Sequence, residues 1–147
     1  MPLDPADRAY WPTLRDEDFV ETSEDTAEYN CIAHAAYDDT AWWWPSMINY
    51  WPPGVPVEVT LAAFAQAYAT LDYGVCSSHA VEAGFEKIAI YADANGHPTH
   101  AARQLPGGRW TSKLGSLIDI EHADLDCLEG GDYGQVSLIL RRPCART

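Results

Sequence analysis

Apolar positions with helical spacing mark one stretch in the first half of the chain. From residue 57 to 73 they recur at steps of three and four, between Leu61 and Leu71. Thr60 stands where an N-cap is expected, and Gly74 stands where a C-terminal stop is expected. The pattern predicts an amphipathic helix whose apolar side belongs to the core.

A second, shorter apolar run begins at Asn30 and Cys31. Asparagine is a favoured N-cap, so Cys31 is predicted to lie in the first turn of a short helix. Unpaired backbone N–H groups and the helix dipole favour a thiolate there, which makes Cys31 a candidate nucleophile. The alternative is that Cys31 is a small buried hydrophobic residue.

The second half changes to the alternation typical of strands. Four strands are predicted, with turns at 94–97 and 106–108 and a short helix near 120–128 before the last strand. The predicted strands are 87–93, 99–105, 109–114 and 134–141. Helices followed by a hairpin-linked sheet predict an α+β fold, in which N-terminal helices pack on a four-stranded antiparallel sheet.

Composition indicates one folded domain over residues 1–147, with residues 1–28 as an acidic and mostly irregular arm. Hydrophobic residues make up 47% of the chain and charged residues 21%, which excludes a disordered chain. The formal net charge of -13 disfavours nucleic acid and anionic membranes as partners. The N-terminus lacks an apolar leader, so a cytoplasmic protein is expected. The four cysteines are widely separated along the chain and are therefore expected to be free thiols.

A thiolate nucleophile needs a histidine base nearby. Of the five histidines, His100 is the best candidate, because it lies near the start of a predicted strand that follows a tight turn. A structural histidine is the alternative at this position.

A tryptophan-rich loop follows the Cys31 helix. Four tryptophans fall within ten residues, among them Trp43 and Trp44, and several prolines exclude long regular structure there. Such rings line a substrate groove, or they cover the core where secondary structure is absent.

The order of these features resembles the papain-like superfamily of cysteine peptidases, amidases and acyltransferases. The stretch from Lys87-Ile-Ala-Ile-Tyr to Thr-His100-Ala also resembles the strand pair of NlpC/P60 proteins. Two departures stand out: Lys87 occupies the place of that family's main histidine, and Asp25 stands where a papain-type oxyanion glutamine is expected.

The resemblance implies a cysteine-dependent hydrolase or acyltransferase that acts on an amide or related acyl bond of a peptide or small amide substrate, without a cofactor or metal. Cys31 would be the nucleophile, His100 the base and Asp119 the residue that orients it, with Glu121, Ser112 and Gln104 as further candidates for the orienting role. The candidate substrate contacts are Asn30, Trp43, Trp44 and Gln104.

The motifs Asn-Cys-Ile-Ala, Trp-Trp-Trp-Pro, and Thr-His-Ala-Ala-Arg-Gln-Leu with Trp-Thr-Ser-Lys-Leu-Gly also resemble a small uncharacterised bacterial family over residues 28–142. That resemblance implies no activity.

Two other functions remain open from the residues alone. Cysteine and histidine pairs separated by two intervening residues, such as Cys31 with His34 and Cys76 with His79, suit a structural zinc site. The strong negative charge suits a non-catalytic binding or immunity-type protein that is steered to a basic partner.

Overall fold

Antiparallel strands dominate the computed structural model, which describes Leu3 and residues 5–144. The strands are β1 (Phe19–Glu21), β2 (Gly74–Cys76), β3 (Phe85–Ala92), β4 (Pro98–Gln104), β5 (Trp110–Lys113), β6 (Asp119–His122) and β7 (Gln135–Pro143). The helices are α1 (Pro5–Arg8), α2 (Cys31–Ala35) and α3 (Leu61–Ala69), with short 3₁₀ helices at Asp16–Asp18 and Asp126–Leu128. All seven strands join one antiparallel sheet in the order β1-β6-β5-β4-β3-β7-β2.

The predicted papain-like fold is therefore wrong. The fold is β-rich, with few helices and a seven-stranded sheet in place of helices packed on four strands. The short helix predicted near 120–128 is also wrong: β6 takes up its first residues because it pairs with β1 on one side and β5 on the other. Only the 3₁₀ helix Asp126–Leu128 follows.

The described part of residues 1–28, predicted as an irregular arm, carries only the short elements α1, the 3₁₀ helix Asp16–Asp18 and β1. Within the described part of this segment, β1 forms an edge of the sheet, and Trp11 and Leu14 are buried in the core. The segment is thus built into the fold through a strand and two anchoring side chains.

The two N-caps predicted from sequence are confirmed. Asn30 Oδ1 accepts a hydrogen bond from the Ala33 N–H at 3.1 Å, and Thr60 Oγ1 accepts one from the Ala63 N–H at 3.1 Å. The stop predicted at Gly74 is wrong, because α3 ends at Ala69 and Gly74 already begins β2.

Hydrophobic residues fill both faces of the sheet. On the face that we call the helix face, α2, α3 and the tryptophan-rich loop cover Ile88, Ile90, Ala101 and Leu140. The opposite face, which we call the His100 face, carries the apolar residues Ala89, Tyr91, Ala102, Trp110 and Ile120 beneath Trp11, Leu14, Leu125 and Leu128. Because successive strand residues point to opposite faces, each of the two cores is supplied by alternate positions of the same strands.

No helix among the described residues is long and apolar enough to cross a membrane.

Candidate functional site

Asn30 fixes both the start of α2 and the neighbouring loop. Besides capping the helix, its Oδ1 accepts a hydrogen bond from the Trp43 N–H at 3.0 Å, and its Nδ2 donates one to the Trp43 carbonyl at 2.7 Å. The side chain is buried, and its carboxamide is occupied by these backbone groups. This arrangement gives Asn30 a structural role and leaves it poorly placed for the predicted substrate contact.

Cys31 opens α2 as predicted, but its thiol is not activated. The residue is 6% exposed, and burial raises the pKa of the thiol to about 11. Hydrogen bonding from the backbone of Ala101 and of α2 itself, together with the charge of Lys113, opposes this effect without overcoming it. The five-residue helix therefore does not turn Cys31 into a thiolate at neutral pH.

His100 lies on the other side of the sheet from Cys31. Cys31 belongs to the core of the helix face together with Ala101, the neighbour of His100 on β4. His100 points the opposite way: its ring stacks on Tyr133 with centroids 4.1 Å apart, and it meets the edge of Tyr91. The structure thus does not bring the predicted nucleophile and base together.

A buried hydrogen-bond chain holds His100 on that face. His122 Nδ1 lies 2.7 Å from the carbonyl oxygen of Asp124, which can only accept, so Nδ1 carries the proton. His122 Nε2 then accepts from the Ser112 hydroxyl at 2.8 Å, and His100 Nε2 donates to the same hydroxyl at 3.0 Å. His100 Nδ1 is left with a lone pair and has no hydrogen-bond partner among the described residues.

Both histidines of this hydrogen-bond chain, His100 and His122, are held neutral. Burial lowers the pKa of His100 well below its usual value, and it lowers the pKa of His122 to about 4. A catalytic base needs a pKa near the working pH, so His100 is a weak base in this position. The hydrogen bonds instead satisfy polar groups inside the core.

Asp119 lies on the helix face, where its neighbour is His34 and not His100. Asp119 Oδ2 accepts a hydrogen bond from Tyr29 OH at 2.6 Å and lies 3.8 Å from His34 Nδ1. The other ring nitrogen of His34, Nε2, lies 2.9 Å from Thr111 Oγ1. The sequence offered His34 as a possible zinc ligand with Cys31 but did not favour it as the base, and it gave no role to Tyr29, which lies just before the cap residue Asn30.

The imidazole of His34 is also neutral. Burial lowers the pKa of His34 to about 4, although the nearby Asp119 carboxylate acts in the opposite direction. Lys113 closes the group from the β5 side: its Nζ donates to the Thr26 carbonyl at 2.7 Å and lies 5.1 Å from the centroid of the Tyr29 ring. The whole cluster joins residues 22–30 and α2 to the sheet.

The other predicted substrate contacts are structural as well. Trp43 is 5% exposed and its ring packs against Tyr50 and Tyr68. Trp44 packs edge-on against Phe64, and Gln104 is buried with its Nε2 donating to the His79 carbonyl at 2.9 Å. Both tryptophans thus cover the core, which is the alternative that the sequence left open.

The cysteine and histidine pairs do not assemble into a zinc site. Among the described residues, no three histidine, cysteine, aspartate or glutamate side chains are grouped so that they could hold a metal ion. Cys31 is buried in the core of the helix face, and the other cysteine and histidine pairs lie on separate loops and strands.

A family model described as a domain of unknown function (DUF7689) matches residues 20–141. The chain belongs to this family. The match begins in β1 and ends in β7, so it includes at least part of every strand of the sheet. No curated protein and no solved structure matches the chain.

Proposed function

We propose that this member of the DUF7689 family is a non-catalytic binding module, which captures a basic protein partner through the loop that joins Trp42 to Trp51. The observation that carries the proposal is the tip of this loop, where Met47 is 96% exposed and Ile48 is 91% exposed. Large apolar side chains displayed side by side in water commonly mark a contact surface.

The loop that displays them is firmly held. Trp43 and Tyr50 form a β-bridge, and the Trp44 N–H donates to the Tyr50 carbonyl at 3.0 Å across the base of the loop. Asn30 fastens the loop to α2, and the Trp43 indole N–H donates to Asp38 at 2.8 Å. A loop ordered in advance loses little conformational entropy when it binds, which favours affinity.

The charge of the molecule indicates the kind of partner. Twenty-two acidic residues oppose nine basic ones, and the resulting field attracts positively charged proteins and speeds their association. We therefore infer a partner with a basic surface around an apolar pocket that accepts Met47 and Ile48. The four free thiols suit a reducing compartment such as the cytoplasm.

The alternative, a cysteine-dependent hydrolase or acyltransferase, receives less support from the same geometry. It requires a thiolate with a histidine beside it, whereas the Cys31 thiol has a raised pKa and His100 is on the opposite face. Papain-like chemistry also needs an open position next to the sulfur, and Cys31 is buried.

The test compares the wild-type protein with a double variant at the loop tip, Met47→Ser with Ile48→Ser. The matched control, Val20→Ser with Val75→Ser, removes two other exposed apolar side chains from short edge strands. Proteins retained by the immobilised wild type and lost with the loop variant are purified, and their affinities are measured by calorimetry at two salt concentrations.

We expect a single basic protein that binds one to one, with affinity about 30-fold to 150-fold lower for the loop variant, since each of the two lost anchors costs about 1–1.5 kcal/mol. The control variant should bind within about twofold of the wild type, and higher salt should weaken all the complexes. The proposal fails if no purified protein distinguishes the loop variant from the control variant, or if the purified protein binds with no dependence on salt.

A further inference from the structure

A cavity of about 540 Å³ lies between the turn that follows α2, the segment leading into β3, and the ends of β4 and β7. Its volume falls in the range of small-molecule sites. The described residues that line it include neither Cys31 nor the Met47–Ile48 tip. The cavity is therefore separate from the loop that we assign to the protein partner.

Apolar side chains from four parts of the chain line the cavity. Leu71 follows α3, Val81 precedes β3, Phe85 begins β3, and Leu105 follows β4. Val81 is 56% exposed, so part of this apolar surface is in contact with water. A ligand that covers the surface removes it from water, which favours binding.

The charged groups closest to these side chains already bind one another. Glu86 uses both carboxylate oxygens: Oε1 accepts a hydrogen bond from Tyr37 OH at 2.8 Å, and Oε2 accepts one from Arg142 Nε at 2.8 Å. A second nitrogen of Arg142 donates to the Leu71 carbonyl at 2.8 Å. This part of the wall is therefore preformed, and its two charges neutralise each other.

The second carboxylate of the wall is neutralised from outside the cavity. Glu82 Oε2 accepts a hydrogen bond from Arg141 at 2.5 Å, and Glu82 Oε1 lies 3.2 Å from Lys87 Nζ. Every charged side chain among the described lining residues thus has a partner of opposite charge. A charged ligand would lose hydration without gaining a free counter-charge, whereas an uncharged ligand avoids that cost.

Tyr37 occupies its place in the wall at a cost in backbone energy. It follows the C-cap residue Ala36 of α2, and its N–H donates to the His34 carbonyl at 3.0 Å. Its φ is 65°, a value at which glycine is the usual residue and a bulky side chain is strained. Strained residues of this kind are typical of functional sites, and here the residue supplies an aromatic ring to the cavity.

Guanidinium groups fix both aromatic rings of the wall. Arg103 lies 3.7 Å from the centroid of the Tyr37 ring, and Arg141 lies 4.4 Å from the centroid of the Phe85 ring. Rings that are held in place lose little freedom when a ligand packs against them. They favour an aromatic ligand, because aromatic pairs gain stability from edge-to-face or offset stacking beyond the area that they bury.

We propose that this cavity binds a small uncharged aromatic molecule. The molecule packs against the rings of Tyr37 and Phe85 and against the side chains of Leu71, Val81 and Leu105. The site does not depend on the Met47–Ile48 tip, so either proposal can fail without the other.

The test uses two fluorescent probes with nearly the same aromatic body. N-phenyl-1-naphthylamine is uncharged, and 8-anilinonaphthalene-1-sulfonate carries a sulfonate. Both are titrated into the wild-type protein and into two variants. Ala83→Trp fills the cavity from an exposed residue that lines it. The matched control, Ala94→Trp, adds the same side chain at an exposed turn residue beyond the other end of β3.

We expect saturable binding of the uncharged probe, at least about fivefold tighter than binding of the sulfonate, because the sulfonate meets no free cation and a net charge of -13 repels it. Ala83→Trp should weaken binding of the uncharged probe at least about tenfold, since the indole takes up space that the probe needs. Ala94→Trp should stay within about twofold of the wild type.

Cys144 reports where the probe binds. It is exposed and lines the cavity, whereas Cys76 does not line it. Saturation with the uncharged probe should slow alkylation of Cys144 by iodoacetamide at least about fivefold and leave Cys76 unchanged, as measured by mass spectrometry of the two peptides. Failure of the uncharged probe to saturate, tighter binding of the sulfonate, equal affinity for the two tryptophan variants, or unprotected Cys144 would each overturn the proposal.

Discussion

Histidine side chains pack against both faces of the sheet, yet their surroundings differ. On the His100 face, two rings share the Ser112 hydroxyl and are sealed from solvent, with 0% exposure for both His100 and His122. On the helix face, the His34 side chain is 15% exposed and is linked to an ionisable partner, Asp119. The comparison shows that the default role of a buried polar side chain is to form hydrogen bonds within the core. A chemical role requires in addition that solvent and a charged partner reach the side chain.

Acidification tests both faces at once and should give the largest effect. Burial holds the pKa of His122 and of His34 at about 4 in the folded protein, below the usual 6.5. The unfolded chain therefore takes up protons first as the pH falls below 6.5, and stability is lost progressively down to pH 4. Above pH 6.5 this contribution is fully present.

We expect a loss of about 2 kcal/mol per histidine between pH 7 and pH 5, measured as the free energy of unfolding in urea. His34→Gln should remove one histidine's share of the pH dependence and leave the share of the His100 face. A free energy of unfolding that stays constant over this interval would mean that the histidines are not held neutral.

Two neighbouring residues of β5, Thr111 and Ser112, contact histidines on opposite faces, so their substitution compares the two faces directly. Ser112→Ala leaves His100 Nε2 and His122 Nε2 without their shared partner, and should destabilise the protein by about 3 kcal/mol because two buried groups lose a hydrogen bond. Thr111→Val removes only the partner of the half-buried His34 and should cost about 1 kcal/mol. Urea unfolding at pH 7 measures both variants, and equal losses would contradict the distinction between the faces.

Removing two tyrosine hydroxyls should give a smaller difference in stability between the faces, with the larger loss now on the helix face. Tyr29→Phe removes a hydrogen bond to the Asp119 carboxylate on the helix face, and Tyr91→Phe removes one to the Leu125 carbonyl on the His100 face. Because a bond to a charged acceptor is the stronger one, we expect a loss of about 2 kcal/mol for Tyr29→Phe and about 1 kcal/mol for Tyr91→Phe. The shift in thermal unfolding midpoint at pH 7 measures the difference, and equal shifts for the two variants would contradict the contrast.

Local sequence signals predicted the parts of the fold that depend on near neighbours. Asn30 and Thr60 cap helices as expected, and the turn at Asn95-Gly96 joins two long strands, with Gly96 at a φ of 82° that favours glycine. The edge strands β1 and β2 were missed because three residues carry too little alternation to be recognised. β1 also pairs with β6, about a hundred residues away, and no local pattern reports that contact.

The predicted pairing of Cys31 with His100 depended on a finer detail, namely which face of the sheet each side chain occupies. The sequence placed His100 correctly on a strand and Cys31 correctly at a helix start, but it did not say which face each side chain occupies. A shift of one residue along β4 exchanges His100 with Ala101, and only the pairing of β4 with β3 decides between them. The choice depends on register, which is a property of the assembled sheet.

The most direct test of the separation of Cys31 from His100 is the rate at which iodoacetamide alkylates Cys31 as a function of pH. Mass spectrometry follows the Cys31 peptide, with exposed Cys144 as the reference thiol in the same sample. We predict that Cys31 reacts at least about 100-fold more slowly than Cys144 at pH 7.5, and that its rate still rises at pH 10, because burial raises the pKa of its thiol to about 11. A fast rate that reaches a plateau near pH 7 would show a thiolate stabilised by a basic neighbour and would contradict this account.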